Sequence, residues 1–151
     1  MHELFKKRKS VRTYKPDSVE KEKLEEILEA ANSAPSAGNL KARKILVIEN
    51  KETKRKLAEA AFGQSFVAEA PIVLVFVALP EVSAGKYSER GQELYAIQDA
   101  TISASFAWLQ AVNLGLSSCW VGAFDEEEVR KILELDANER PIAILPIGYA
   151  R

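Results

Sequence analysis

A chain of 151 residues is long enough for one domain with a substantial core. Its formal net charge of -1 excludes a strong general attraction to nucleic acid or to an anionic membrane. The single cysteine, Cys119, excludes an intrachain disulfide framework and fits a reducing compartment. The first residues are charged, with no apolar leader, and the longest apolar run, 70–79, is too short to span a bilayer. We therefore expect a single cytoplasmic domain over residues 1–151, without a nucleic-acid or membrane partner.

The N-terminal part of the chain predicts two helices on either side of a basic motif. A short helix over 3–7 precedes residues 8–12, which carry three basic side chains. Apolar residues then recur at helical spacing until Pro35, which ends a long helix. Asp17 or Ser18 is the predicted N-cap of this helix. Glu20, three residues after Asp17, is the predicted capping-box partner.

The middle of the chain alternates strands and helices. Residues 71–79 are continuously apolar, which predicts a strand that is covered on both faces. Residues 80–91 are polar, and their apolar residues recur at neither helical nor strand spacing. We therefore predict a loop there and regard it as the substrate-facing segment. The other elements are a buried strand over 44–49, a helix over 51–62 and a short segment of undecided structure over 64–70.

The C-terminal half begins with a long helix over 92–114. Small apolar residues surround this helix almost completely, so it is buried inside the fold or against a second subunit. The elements that follow are a short strand or extended loop over 117–124, a helix capped by Asp125 and Glu128, and a strand over 141–149. Pro146 indicates that the last strand lies at a sheet edge or ends there. This alternation predicts a layered fold with helices on both faces of a sheet, without fixing strand direction.

Arg8, Ser10 and Arg12 alternate near the N-terminus, with Lys9 between them. Alternate side chains of an extended segment share a side, so two guanidinium groups and a hydroxyl could face one phosphate. Arginine suits this role because it forms bidentate, charge-assisted hydrogen bonds to phosphate oxygens. On this motif alone, a solvated basic N-terminus is the alternative.

Two further segments offer contacts to a heterocyclic ring. The turn after the first long helix presents Ser36 and Asn39, whose hydroxyl and amide suit a polar ring edge, although a helix stop with an Asx-type turn has the same composition. Gly122, between Val121 and Ala123, either allows close approach of the backbone to a ligand or marks a strand bend. A phosphate grip, a ring-edge contact and a close backbone approach are together the parts of a flavin mononucleotide (FMN) site.

Metal and nucleophile chemistry have little support in the sequence. His2 is the only histidine and Cys119 the only thiol, and no carboxylates are grouped around them at ligand spacing, so no metal site is predicted. A catalytic triad would need His2, at a terminus that tends to fray. Cys119 is interpreted as a small buried hydrophobe. No glycine-rich dinucleotide fingerprint or Walker motif is present.

Four motifs resemble, in the same order, those of the flavin-dependent nitroreductases. They are Arg8-Lys9-Ser10-Val11-Arg12, Ala34-Pro35-Ser36-Ala37-Gly38-Asn39, Leu114-Gly115-Leu116-Ser117-Ser118-Cys119-Trp120-Val121-Gly122-Ala123-Phe124-Asp125 and Pro146-Ile147-Gly148-Tyr149. The resemblance runs from about residue 4 to residue 149. It implies an α+β fold, a three-layer α-β-α sandwich around a mainly antiparallel sheet, assembled as an intertwined homodimer with FMN at the subunit interface. The helix over 92–114 would be the central dimer helix.

The resemblance also implies roles in cofactor binding. Arg8 and Ser10 would hold the FMN phosphate with help from Lys9, and Arg12 would lie near the pyrimidine side of the ring, where negative charge develops on reduction. Ser36 and Asn39 would contact the ribityl chain and the ring edge. The whole implied cofactor-binding set is Arg8, Lys9, Ser10, Arg12, Pro35, Ser36, Asn39, Gln64, Trp120, Val121, Gly122, Ala123 and Arg151.

The sequence departs from the family pattern in three places. Lys41 stands where the family often has glutamine, so that residue's contacts are not carried over. The chain stops at Arg151, to which we assign the phosphate contact that many members take from a longer tail. The region leading to 92–114 is short, which implies a more open or differently shaped substrate pocket.

The implied activity is that of an NAD(P)H-dependent flavin oxidoreductase. NADH or NADPH would reduce the flavin and leave, and a small electron-poor acceptor, such as a nitroaromatic or a quinone, would then take the same place. Two flavin-based alternatives remain: a superfamily member with oxygen- or dehalogenation-type chemistry, and a flavin-binding carrier or sensor without turnover. The last alternative is an α/β domain whose basic motif is only surface charge.

Overall fold

The computed structural model describes all 151 residues and has a four-stranded sheet at its centre. The strands are β1 (Arg43–Ile48), β2 (Ile72–Ala78), β3 (Ser117–Ser118) and β4 (Arg140–Gly148). Their order is β1-β2-β4-β3, and every neighbouring pair is antiparallel. The antiparallel α+β arrangement implied by the resemblance is therefore confirmed, and it supplies the strand directions that the alternation of elements left open.

Helices cover the sheet. They are α1 (Glu3–Lys7), α2 (Lys21–Ser33), α3 (Lys51–Ala60), α4 (Phe66–Glu69), α5 (Pro80–Arg90), α6 (Ala96–Asn113) and α7 (Glu126–Ile132). A 3-10 turn at Ala37–Asn39 and a π-helical turn at Gly91–Tyr95 complete the regular structure. None of the helices combines the length and hydropathy that a membrane crossing requires.

The side chains of β2 divide the core into two layers, one on each face of the sheet. Val73, Val75 and Val77 pack against α3, α4 and α7. Ile72, Leu74 and Phe76 pack against α2 and α6. Because alternate residues of a strand point to opposite faces, an unbroken apolar run is what a strand between two helical layers requires. The predicted strand over 71–79 and the three-layer sandwich are confirmed.

Two predictions about the other long strands are wrong. The strand predicted as buried over 44–49 is β1, which forms an edge of the sheet and is mostly half-buried. The last strand, β4, is not at an edge but lies between β2 and β3. Ile144 exchanges two backbone hydrogen bonds with Val121, and the missing N–H of Pro146 lies on the same side of β4. There the ladder is interrupted between Ser118 and Val121, so the proline is accommodated inside the sheet.

Helix starts also differ from the predictions. The long helix α2 begins at Lys21, not at Asp17 or Ser18, and Glu20 at its N-cap makes no side-chain cap bond. The Glu20 carboxylate instead accepts a hydrogen bond from the Tyr149 hydroxyl at 2.7 Å. Asp125 caps α7 as predicted, through the N–H of Glu128 at 3.0 Å. The reciprocal half of that capping box is absent because the Glu128 side chain pairs with Lys131.

The segment over 80–91, predicted as a loop, is the helix α5, with Pro80 in its first turn. Proline is well placed there because the first helical N–H groups have no partner inside the helix. Near its end Ser88 adopts φ 50° and ψ -137°, which breaks the helix. The π-helical turn then leads into α6, so the helix predicted over 92–114 becomes a turn followed by α6.

Candidate functional site

The basic motif, residues 8–12, runs beside the edge of the sheet that β3 forms. Ser10 forms a parallel β-bridge with Ser118, and the N–H of Val11 donates to the Ser118 carbonyl at 3.0 Å. The C-terminus returns to the same place, where the N–H of Arg151 donates to the carbonyl of Thr13 at 3.2 Å. The fold thus brings Arg151 next to the motif, as its assignment to a shared phosphate contact requires.

Tyr14 anchors this segment to the core. Its side chain is 1% exposed, and its hydroxyl donates to the Val11 carbonyl at 2.6 Å. Burial raises the pKa of the Tyr14 phenol, so the group stays protonated and keeps donating. Sequence reasoning missed Tyr14. The available signal was an aromatic residue between polar neighbours in an otherwise exposed stretch.

The four cations of this region have no carboxylate partner. Arg8, Lys9, Arg12 and Arg151 take part in none of the ion pairs of the chain. The Ser118 hydroxyl is also buried without a hydrogen-bond partner. These guanidinium and ammonium groups, together with the exposed Ser10 hydroxyl, are donors of the kind that fit a phosphate.

The second candidate segment, which we call the polar loop (residues 35–42), has an unusual backbone. Gly38, Asn39 and Lys41 all have positive φ, at 59°, 56° and 50°. Non-glycine residues are uncommon in this conformation, and asparagine is among the better tolerated. The Ser36 hydroxyl accepts a hydrogen bond from the N–H of Lys41 at 2.9 Å, so it is held in place and can still donate its own proton.

Asp99 holds the polar loop on α6, and Arg43 binds the end of α2 that leads into the loop. The Asp99 carboxylate, in a residue 2% exposed, accepts hydrogen bonds from the N–H groups of Ala37 at 3.1 Å and Ala42 at 3.2 Å. One Arg43 nitrogen donates to the carbonyls of Ala31 and Asn32 in the last turn of α2 and to that of Ala34 just after it. Burial lowers the pKa of Arg43, and the Asp99 carboxylate opposes that effect. The resemblance offers Gln98 or Asp99 only as a loosely aligned carry-over, and sequence reasoning did not predict these supporting bonds, although Asp99 is the only charged residue of α6.

The third segment, around residues 120–123, is tied to the turn after α3. The Gln64 side chain donates from Nε2 to the Ala123 carbonyl at 3.1 Å, so two predicted site residues meet. Val121 is buried and bridged to Ile144, while Gly122 is exposed. A Cβ on Gly122 would lie 3.1 Å from Nε1 of Trp120, so the glycine lets the indole pack closely. This close packing is a further reason for glycine, beside the predicted approach of a ligand.

The remaining reactive side chains are used structurally. Cys119 is a free, buried cysteine, as predicted. His2 is exposed, and its Nδ1 accepts a hydrogen bond from the N–H of Leu4 at the start of α1. No group of three or more histidine, cysteine, aspartate or glutamate side chains is arranged to hold a metal ion.

Within one chain, the basic motif and the polar loop lie at different ends of α6. The guanidinium of Arg8 stacks on Trp108, whereas the polar loop is held by Asp99. With a rise of about 1.5 Å per residue, Asp99 and Trp108 are about 13 Å apart along the axis. The fold therefore groups residues 8–12 with Arg151 and with the strand that leads to Val121, and it leaves Pro35, Ser36 and Asn39 at a distance.

Comparison with known proteins identifies the family of the chain. Residues 5–78 and 61–149 match the Nitroreductase family. The chain is 39% identical to a Thermus thermophilus protein named NADH dehydrogenase, over 95% of this chain and 83% of that protein. It is 32% identical to a Bacillus subtilis protein named FMN reductase, NAD(P)H, over 93% of this chain and 62% of that one. An FMN-dependent nitroreductase from Clostridium difficile R20291 superposes with a TM-score of 0.85 at 33% identity, covering 97% of this chain and 86% of that chain. The chain belongs to the nitroreductase family.

Proposed function

We propose that this protein is an FMN-dependent oxidoreductase that passes electrons from NADH or NADPH to a small electron-poor acceptor, such as a nitroaromatic or a quinone. Residues 1–151 would act as one FMN-binding domain. The observation that carries the proposal is the set of cations without a carboxylate partner in residues 8–12 and at Arg151, in a chain that matches the nitroreductase family. The names of the B. subtilis and C. difficile relatives support the same cofactor.

Each part of the site has a task in this proposal. Arg8, Lys9, Ser10 and Arg151 bind the phosphate, and Arg12 supplies positive charge near the pyrimidine side of the ring. Residues 120–123 lie against the ring, with Gln64 fixing the Ala123 carbonyl. When bound, FMN supplies the hydride and electron chemistry, which no side chain of this protein offers. The protein binds and orients the reactants and limits access of water.

We further propose a homodimer in which the polar loop of one chain completes the site that the basic motif of the other begins. The separation of these two segments along α6 supports this arrangement. So does the outer face of α6, where Ile102 and Leu109 are half-buried and Phe106 is 39% exposed. These residues follow one another at helical spacing and form an apolar stripe that a second subunit would cover. In that assembly Pro35, Ser36 and Asn39 contact the cofactor from the partner side.

The visible absorption spectrum of the purified protein tests the proposal directly. We expect a flavin band, present on isolation or after incubation with FMN, that bleaches under anaerobic conditions when NADH or NADPH is added. A band that persists with both nicotinamides would favour a carrier or sensor. If no band appears even after incubation with FMN, the protein does not bind the cofactor and the proposal is wrong.

A further inference from the structure

A tyrosine of α5 lies directly on the polar loop. A Cβ added to Gly38 would be 2.6 Å from the Tyr87 hydroxyl oxygen and 3.2 Å from Nζ of Lys86. Such short distances mean that the phenol and the ammonium group rest on the backbone at Gly38, between Ser36 and Asn39. Any ligand that contacts Ser36 and Asn39 is therefore next to these two side chains.

The Tyr87 ring is held by an aromatic stack. Tyr87 and Tyr95 pack edge to face, with ring centroids 5.1 Å apart and planes at 82°. Arg90 in turn fixes Tyr95, since its Nε donates to the Tyr95 hydroxyl at 3.0 Å and its guanidinium lies 5.4 Å from that ring. Edge-to-face pairs and cation–π contacts stabilise such geometry. The Tyr87 hydroxyl is therefore pre-organised at the loop, and it makes no hydrogen bond within the chain.

Lys86 is the charged member of the pair. Its Nζ lies 5.4 Å from the Tyr87 ring and takes part in no ion pair. The next residue after Tyr87, Ser88, has a strained backbone at φ 50° and ψ -137°. Strain of this kind costs about 1–3 kcal/mol and concentrates at functional sites, where the surrounding structure maintains it. Here it interrupts α5 just after the two side chains that lie on the polar loop.

We propose that Lys86 and Tyr87 form a wall of the acceptor site and select acceptors that carry an anionic group, such as a carboxylate or sulfonate, beside the reducible ring. The inference rests on the proposed function, in which Ser36 and Asn39 contact the flavin. Lys86 pairs with the anionic group, and the Tyr87 hydroxyl donates a hydrogen bond to an oxygen of the acceptor. Both residues determine specificity, and neither takes part in the transfer of electrons.

Steady-state kinetics of the FMN-loaded enzyme with two matched acceptors test the role of Lys86. The acceptors are a sulfonated naphthoquinone and the same naphthoquinone without the sulfonate. We expect Lys86→Met to lower kcat/KM for the sulfonated acceptor roughly tenfold more than for the neutral acceptor, the size expected for loss of a bond to a charged group. Lys51→Met removes an exposed lysine from α3, on the opposite face of the sheet, and should change neither acceptor.

A binding measurement without turnover separates recognition from catalysis. Benzoate and benzamide, titrated into the oxidised holoenzyme and followed by the flavin spectrum, differ in charge but little in shape. We expect Lys86→Met to weaken benzoate and spare benzamide, and Tyr87→Phe to weaken both. Equal effects of Lys86→Met on charged and neutral ligands, or an effect on NADH alone, would overturn the inference while leaving the proposed function intact. Absence of flavin binding or of reduction by nicotinamide would overturn the proposed function itself, and this inference with it.

Discussion

The guanidinium group of Arg8 lies over the indole ring of Trp108, with 4.7 Å between its central carbon and the ring centroid. Trp108 belongs to α6, so the stack joins the basic motif to the longest helix of the fold. A cation–π contact uses the face of the guanidinium and leaves its in-plane N–H donors free. The geometry therefore fixes Arg8 while keeping its donors available to a phosphate.

Replacing Arg8 tests the phosphate assignment. We expect Arg8→Ala to weaken FMN binding by about 1.5–3 kcal/mol, the range for hydrogen bonds to charged groups, which is on the order of a ten- to hundredfold rise in Kd. Quenching of FMN fluorescence during titration of the apoprotein measures this change. Arg55→Ala, in an exposed arginine of α3 that pairs with Glu52 and Glu59, is the matched control and should leave the affinity unchanged. Equal FMN affinity in wild type and Arg8→Ala would remove Arg8 from the site.

A second prediction concerns Asp99, which holds both ends of the polar loop. In Asp99→Asn one side-chain oxygen still accepts a hydrogen bond, but the amide nitrogen faces the other backbone N–H. The substitution also removes the negative charge that offsets the cost of burying the Arg43 guanidinium. We expect a loss of about 3 kcal/mol in the free energy of unfolding, measured by urea denaturation, and weaker FMN binding because Ser36 and Asn39 are no longer fixed. Gln98→Ala, at the exposed neighbouring position, should change stability by less than about 0.5 kcal/mol. A similar loss in both variants would contradict the role given to Asp99.

The parts of this fold that sequence reasoning predicted correctly are those with a local signal. The apolar run of β2 predicts its own burial, and Asp125 at the start of α7 predicts the cap that the N–H of Glu128 completes. The supports of the site are different, because they depend on residues far apart in the chain. Asp99 bonds to Ala37, 62 positions away, and nothing in the sequence around either residue indicates that contact.

The wrong predictions have the same origin. Pro146 suggests an edge when only its own strand is considered, but the interrupted ladder beside Val121 lets β4 lie inside the sheet. The helix α5 lacks an apolar period because much of its surface is exposed, so its polar sequence is typical of a loop. Its contact with Gly38 links two segments about fifty residues apart, and only the folded chain reveals it.

A third prediction tests the two-chain site through Phe106, on the outer face of α6. We expect Phe106→Asp to place a charge in the subunit contact and so to shift the assembly toward monomers, measured by sedimentation velocity. FMN affinity should then fall and become dependent on protein concentration, because both chains contribute to the site. Val47→Asp, at a position of β1 with 38% exposure against 39% for Phe106, is the control and should alter neither property. Normal FMN binding by a monomeric Phe106→Asp variant would show that one chain suffices.

The last prediction concerns pH and the C-terminal end of the sheet, where Tyr149 joins Glu20 to Lys23. The Tyr149 hydroxyl donates to Glu20 at 2.7 Å and accepts from Lys23 at 2.7 Å. The bond from Tyr149 lowers the pKa of Glu20 below 4.5. The bond to Tyr149 raises the pKa of Lys23 above 10.5.

The sign of each contribution follows from these directions. Folded Glu20 binds fewer protons than unfolded Glu20 just below pH 4.5, so its contribution is full above that pH and is lost as the pH falls through the folded pKa. Folded Lys23 binds more protons than unfolded Lys23 just above pH 10.5, so its contribution is lost as the pH rises through its folded pKa.

We therefore expect Tyr149→Phe to be less stable than wild type near neutral pH, with the difference shrinking toward both acid and alkaline extremes. Urea denaturation across the pH range measures this difference. Tyr95→Phe is the control, because the Tyr95 hydroxyl bonds to Arg90 and to no carboxylate. Its stability difference from wild type should not shrink toward both pH extremes. A Tyr149→Phe difference that stays constant from acid to alkali would mean that Tyr149 stabilises the fold by packing alone, without coupling to Glu20 and Lys23.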